Sequence, residues 1–149
     1  MNRFEEHIVL VTGGNSGIGL ATAKAFAKEG ATVVVTGRDQ DSLDRAQKEL
    51  GPNGLAVRAD VASNDDLDRL YALIREKYGR IDVLFANAGI ARFQPTADVS
   101  ESTYDDIMSI NVRGLFFTLQ KALPLLSDGG AVVLNASVAG HMATEVGNV

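Results

Sequence analysis

Three glycines in the spacing Gly13-x-x-x-Gly17-x-Gly19 follow directly on the apolar run Ile8 to Thr12 and open a helix-like pattern. Glycine removes the side chain that would hold a ligand away from the backbone, and the first turn of a helix leaves its N–H groups unpaired. Strand, glycine turn and helix in that order form a site for the pyrophosphate of a dinucleotide. Asn15, Ser16 and Ile18 stand among the glycines and belong to the same candidate site. With 15 glycines in the chain, spaced triplets also arise by chance, so the flanking strand and helix carry part of the argument. Ile18, Ala21, Ala25 and Phe26 recur near helical spacing and predict the apolar face of that helix.

The elements that must hold this turn are legible as an alternation. Short apolar runs at Ile8 to Thr12, Ala31 to Thr36, Leu55 to Ala59, Ile81 to Ala86 and Ala131 to Ala136 are separated by helical patterns. The clearest helix carries Leu67, Leu70, Tyr71, Ile74 and Tyr78 on one face, with Ser63 as its expected N-cap and Gly79 as its end. Runs apolar throughout are strands buried on both faces, and right-handed crossovers then give an α/β parallel sheet in three layers, α/β/α. In such sheets ligands lie beyond the carboxyl ends of the strands. The residues there are Gly13 to Gly19, Gly37-Arg38-Asp39, Asp60 with Val61, Asn87-Ala88-Gly89, and Asn135 with Ser137. Each has a plain reading as turn chemistry, and together they favour one site.

Composition bounds the partners. Fourteen basic and 19 acidic residues give a formal charge of −5 without any basic run, which argues against a nucleic-acid or anionic-membrane surface. Absence of cysteine excludes disulfides and thiolate metal sites; no metal is expected, and a cytoplasmic location is the default expectation. No apolar stretch approaches bilayer length.

At the end of the second run, an acidic residue would bond the adenosine ribose hydroxyls of NAD, whereas arginine pairs with a 2′-phosphate. Gly37 followed by Arg38 predicts NADP over NAD, with Asp39 as the acidic competitor. Asn111 falls four residues from both Ile107 and Leu115, so a polar amide occupies an apolar stripe that continues through Leu119 and Ala122. Such an amide needs a partner, and a structural hydrogen bond fixing the helix is the simplest one. Ser137 is either a turn-forming hydroxyl or one that reaches a substrate oxygen.

The chain resembles the short-chain dehydrogenase/reductase family. Thr12-Gly13-x-x-x-Gly17-x-Gly19 is similar to its cofactor motif, Asn87-Ala88-Gly89 to its N-A-G motif, Asn111 to its helix asparagine and Ser137 to its catalytic serine. The resemblance implies a Rossmann-type doubly wound sheet in strand order 3-2-1-4-5, forming a single NAD(P)-binding domain over residues 1–149. It implies an oxidoreductase that interconverts a small-molecule carbonyl and alcohol by hydride transfer. Ser137 would bond the reacting oxygen, Asn111 would help hold a proton-relay water, and Asp60 with Val61 would contact adenine. A helix-capping or turn role is the alternative for Asp60.

Ile90 to Val99 and Val138 to Val149 would border the substrate entrance, and the helix Ser100 to Leu126 would contribute to a homo-oligomer. One departure is Phe85-Ala86-Asn87, where many relatives carry a second asparagine. The family's Tyr-x-x-x-Lys pair is expected from about position 150, so the 149 residues are expected to be an inactive, truncated cofactor-binding portion. A non-catalytic dinucleotide-sensing module is the alternative.

Overall fold

Valine dominates the central strands because each is covered on both faces. In the computed structural model, which describes residues 2–137, β1 (Ile8–Thr12), β2 (Thr32–Gly37), β3 (Gly54–Arg58), β4 (Ile81–Ala86) and β5 (Leu126–Leu134) form one sheet. The order is β3-β2-β1-β4-β5 and every pairing is parallel, as the resemblance implied. Alternate residues feed two cores. Val9, Val11, Val33, Val35, Val83 and Phe85 pack with Ala23, Ala46 and Leu50, from α1 (Gly17–Lys28) and α2 (Gln40–Leu50). Leu10, Val34 and Leu84 pack on the opposite side with Leu67, Leu70, Tyr71 and Ile74 of α3 (Asn64–Tyr78). Burying each such side chain contributes about 1.5–3 kcal/mol, so continuous apolar runs are the form that a doubly covered strand takes.

The third helix follows the sequence reading closely. The Ser63 side chain accepts from Asp66 N at the N-terminus, and Gly79 closes the C-terminus at φ 76°, a conformation glycine adopts without steric cost.

Two of the helices differ from expectation. Along α1 the buried residues are Gly19 and Ala23, with Leu20, Phe26 and Ala27 packed behind them, while Ile18, Ala21 and Ala25 are exposed. Small residues bring this helix down onto the sheet: a Cβ at Gly19 would lie 2.2 Å from Gly13 O. Hydrophobic periodicity gives such a face little weight. The last long helix is also interrupted. It runs as α4 (Glu101–Met108), a π-helical segment (Ser109–Gly114) and α5 (Leu115–Ala122). Its fully buried positions are Ile107, Ile110, Gly114, Thr118 and Ala122; of the expected stripe Ile107 and Ala122 are among them, while Asn111, Leu115 and Leu119 are half-buried, the two leucines against the core. Gly114 permits this approach, since a Cβ there would stand 2.9 Å from Val61 Cγ2.

β5 begins earlier than its apolar run. Leu126 pairs with Ile81 and Ala131 with Val83, so the segment around Asp128-Gly129-Gly130 forms an irregularity within the strand, with Gly129 at φ 80°. β5 is an edge of the sheet, and Val132, Val133 and Leu134 are exposed.

Candidate functional site

The carboxyl ends of the strands surround a cleft of about 440 Å³, a volume within the range of ligand sites. Gly13, Asn15, Ser16, Gly17 and Ile18 form one wall. Arg38, Asp60 and Val61 form a second, and Asn87, Ala88 and Gly89 a third. Gly19 lies behind the first wall, where its missing side chain allows Gly13 O and Asn87 Nδ2 to approach. Thr36, Gly37, Asp39, Ala59, Ile90 and Ile110 also line the cleft. Of these, Thr36 and Ile110 were hidden from sequence reading because they sit within apolar strand and helix patterns.

Thr12 and Asn87 join the glycine turn to the end of β4. The Thr12 hydroxyl accepts from Asn87 N at 3.0 Å and Ala88 N at 3.1 Å. Asn87 Nδ2 donates to Thr12 O at 3.1 Å and Gly13 O at 3.2 Å. Asn135 extends the frame to the fifth strand, donating through Nδ2 to Asn87 Oδ1 at 2.9 Å and through its backbone N to Ala86 O at 3.0 Å.

Asn111 sits in the π-helical segment, and its amide closes on the backbone of one residue. Its Oδ1 accepts from Ile90 N at 2.9 Å and its Nδ2 donates to Ile90 O at 2.8 Å. The amide is thus occupied in holding the loop that follows Gly89, the structural partner expected for a polar group in this stripe. Ser137 follows β5 and is exposed at this same edge of the sheet. Val138 to Val149, read as part of the substrate entrance, lies outside the described residues.

The second wall is electrostatically distinct. Asp39 caps α2, accepting from Ser42 N at 2.8 Å, and hydrogen bonds from Ser42 hold its carboxyl below the ordinary value. Ser42 Oγ donates to Asp39 O at 2.9 Å and accepts from Asn15 Nδ2 at 2.7 Å, which links the helix cap to the glycine turn. Asp60 is held by α3: its backbone N donates to Asp66 Oδ2 at 2.8 Å, and this bond is the largest cause of the lowered Asp66 pKa. Arg38 Nη1 lies 3.8 Å from Asp60 Oδ2, with more than half of the arginine side chain exposed.

A dinucleotide fits this arrangement on two observations. A Cβ at Gly17 would meet nothing within 4 Å, so the turn opens onto space at a positive-φ glycine, next to a helix N-terminus. Thr36 is almost fully buried on the cleft floor, yet its Oγ1 has no hydrogen-bond partner among the described residues. A buried hydroxyl without a partner is costly in a finished interior and unremarkable in a ligand site.

None of the sequence's three tyrosines is presented as an acid or base. Tyr71 is buried and donates through its hydroxyl to Thr118 O at 2.6 Å, and burial raises its pKa; burial also raises that of Tyr78. Tyr104 is half-exposed on α4. Among the described residues no group of three His, Cys, Asp or Glu side chains could hold a metal ion, and no helix is long and apolar enough to cross a membrane.

Comparison with known proteins agrees with this geometry. The chain is 39% identical over 142 residues to the oxidoreductase asL5 of Sarocladium schorii, covering 94% of this chain and 57% of that protein. It is 40% identical over 145 residues to a 3beta-hydroxysteroid dehydrogenase of Mediterraneibacter gnavus, covering 94% and 52%. The chain therefore spans about half the length of these curated relatives. Among solved structures, a short-chain dehydrogenase/reductase (glucose/ribitol dehydrogenase) from Brucella melitensis superposes with a TM-score of 0.91 at 36% identity, over 96% of this chain and 62% of that one. Levodione reductase gives 0.89 at 34% identity, over 95% and 58%. The short chain dehydrogenase family pattern matches residues 7–149, and this chain belongs to that family of oxidoreductases.

Proposed function

We propose that the protein containing this chain is an NADP-preferring oxidoreductase that interconverts a small-molecule carbonyl and alcohol, with residues 1–149 as its cofactor-binding portion. The observation that carries this reading is the convergence of the glycine turn, Arg38, Asp60 and Asn87-Ala88-Gly89 on one cleft. The pyrophosphate is held by N–H groups around Gly13, Ser16 and Gly17, where unpaired backbone donors meet a helix N-terminus. Arg38 pairs with the adenosine 2′-phosphate, while Asp39 is occupied at the cap of α2 and Asp60 approaches the arginine only to 3.8 Å. Asp60 and Val61 border the adenine, and Asn87 to Gly89 border the remainder of the dinucleotide.

When bound, the nicotinamide cofactor supplies or accepts the hydride. Ser137 donates a hydrogen bond to the reacting oxygen and stabilises the negative charge that develops there. Asn111 is a positioning residue: by clamping Ile90 it fixes the loop over which the substrate approaches. The accompanying proton comes from a group other than Tyr71, whose hydroxyl is committed to Thr118 and whose pKa burial has raised. On its own the 149-residue chain binds cofactor without turnover.

The exposed groove formed by Met108, Val112 and Phe116, flanked by Asp105 and Arg113, favours a homo-oligomer of the complete protein. A cysteine-free chain also suits the reducing cytoplasm.

The test is carbonyl reduction by the complete protein with NADPH and NADH. Faster turnover at low NADPH is expected, and Ser137→Ala should lower kcat about 100-fold with little effect on cofactor affinity. No nicotinamide-dependent activity on a broad carbonyl panel, or an unchanged kcat in the serine variant, would remove the reading.

A further inference from the structure

The corner beside Arg38 holds a second arginine. Parallel pairing sets Gly37 against Arg58, and residues paired in register project to the same face of the sheet. Arg58 therefore stands on the face where position 37 has no side chain. Its side chain is exposed but tethered at one point: its Nε donates to Arg38 O at 3.1 Å, while Ala59 N donates to Gly37 O at 3.0 Å. The Arg58 side chain thus touches the Arg38 backbone at adjacent strand ends.

Their charges are poorly answered from within the chain. Arg38 approaches Asp60 only to 3.8 Å, and Arg58 forms no ion pair with a carboxylate among the described residues. Asp39 is the acid nearest in sequence, and it already accepts from Ser42 N. With Nε engaged on a carbonyl, Arg58 retains both terminal nitrogens as donors. A guanidinium fixed at one end and open at the other suits an anion with several acceptor oxygens. A phosphomonoester carries about −1.5 to −2 charge at neutral pH and three such oxygens, more than one exposed arginine satisfies. A ribose diol offers neither.

We infer that Arg58 is a second specificity-determining residue, completing with Arg38 a two-arginine clamp for the phosphomonoester on the adenosine ribose. This rests on the NADP reading and adds a residue to it. Arg58 acts twice: it fixes the Arg38 backbone through the Nε contact and lends its own charge to the phosphate.

Adenosine 2′,5′-bisphosphate and adenosine 5′-monophosphate differ only in the group concerned, and both can be titrated calorimetrically against the full chain at low salt. Arg58→Gln should weaken the bisphosphate by about five- to tenfold, an exposed charge-assisted contact, and leave the monophosphate within about twofold. Its bisphosphate affinity should also fall less steeply with added salt. Arg58→Lys, which keeps the charge and alters the carbonyl contact, should retain more of the preference than Arg58→Gln. An equal loss for both ligands would reduce Arg58 to a structural tie and overturn the inference. A wild-type preference unchanged in Arg58→Gln would overturn it while leaving the NADP reading intact. If the wild type binds both ligands equally, the NADP reading and the clamp fail together. Melting curves identify a misfolded variant, in which case Arg58→Lys decides by the same criteria.

Discussion

The two halves of the sheet's carboxyl edge differ in how far their polar groups are closed within the chain, although Asp39, Ser42 and Asp60 are tied in on the second half as well. On the β4 and β5 side, the amides of Asn87, Asn111 and Asn135 are closed on backbone or on one another. On the β2 and β3 side, Thr36 Oγ1 has no partner among the described residues, Arg38 is loosely paired, and Arg58 makes a single backbone contact. A saturated network fixes geometry, because breaking any bond leaves a half-buried group unsatisfied. An unsaturated surface keeps its donors for a ligand. Under the proposed function the first half serves as a frame and the second as a binding face, and substitutions in each should separate them.

Breaking the frame at its tightest contact should have the largest effect. A Cβ at Gly19 would stand 2.2 Å from Gly13 O and 2.7 Å from Asn87 Nδ2, and the first of these is backbone that cannot rotate away. Gly19→Ala should destabilise by about 3 kcal/mol and abolish dinucleotide binding as the turn separates from Asn87. Denaturant unfolding and cofactor titration measure the two losses. A variant with wild-type stability would show that the turn has slack and that the frame is not rigid.

Next in size is the Asn111 clamp. Asn111→Ala removes both hydrogen bonds to Ile90 and leaves its backbone N–H and C=O without these partners, a cost of about 2–3 kcal/mol. The loop after Gly89 should then exchange its amide hydrogens faster, with Ile90 N–H most affected. Asn111→Asp keeps the acceptor for Ile90 N and loses the donor to Ile90 O, so it should fall between the two. Unchanged exchange at Ile90 in the alanine variant would break the distinction between frame and face.

The sequence carried most of the frame and less of the face. β1 and β4 were readable residue by residue because both of their sides are apolar, and α3 because Ser63, its apolar stripe and Gly79 agree. The glycine turn, Arg38 and Asn87 were found because polar groups at strand ends interrupt an apolar pattern. The buried side of α1 was misread because it is made of glycine and alanine, which serve close approach while contributing little hydrophobic signal. The π-helical segment escaped because a local change of helical period leaves no mark in composition, although Asn111 gave the polar clue. The first residues of β5 resembled a turn since Asp128-Gly129-Gly130 supplies turn chemistry within the strand. Thr36, Ser42 and Arg58 carry no motif; their roles come from register, capping and burial.

Acid should reach the binding face through its support. The Asp66 carboxyl accepts from Asp60 N and Ser63 Oγ and pairs with Arg69, and its pKa is lowered in the folded state. A depressed carboxyl contributes stability fully above its unfolded pKa of about 3.9, and loses it as pH falls through the folded value. Stability should therefore be flat in this contribution at neutral pH and decline below about pH 4, with Asp60 loosening as Asp66 is protonated. Ser63→Ala, which removes the N-cap, should cost about 1 kcal/mol at neutral pH. An Asp66→Asn variant with an undiminished acid-induced loss would place the acid sensitivity elsewhere.

The smallest effect has the most informative sign. Thr36 is 1% exposed, its Oγ1 has no partner among the described residues, and it lines the cleft. Valine has nearly the same shape, so Thr36→Val removes a buried unsatisfied hydroxyl without opening a cavity. Stability should rise by up to about 1 kcal/mol, since the desolvation cost of that group disappears. Affinity for adenine nucleotides should fall by a few-fold if the hydroxyl is kept for the ligand. In the frame, deleting a polar group lowers stability and binding together; on the face, the same kind of deletion should move them in opposite directions. Unfolding and nucleotide titration on one preparation of Thr36→Val test this directly. A loss of stability would mean that the hydroxyl is satisfied within the folded chain and that the face is as closed as the frame.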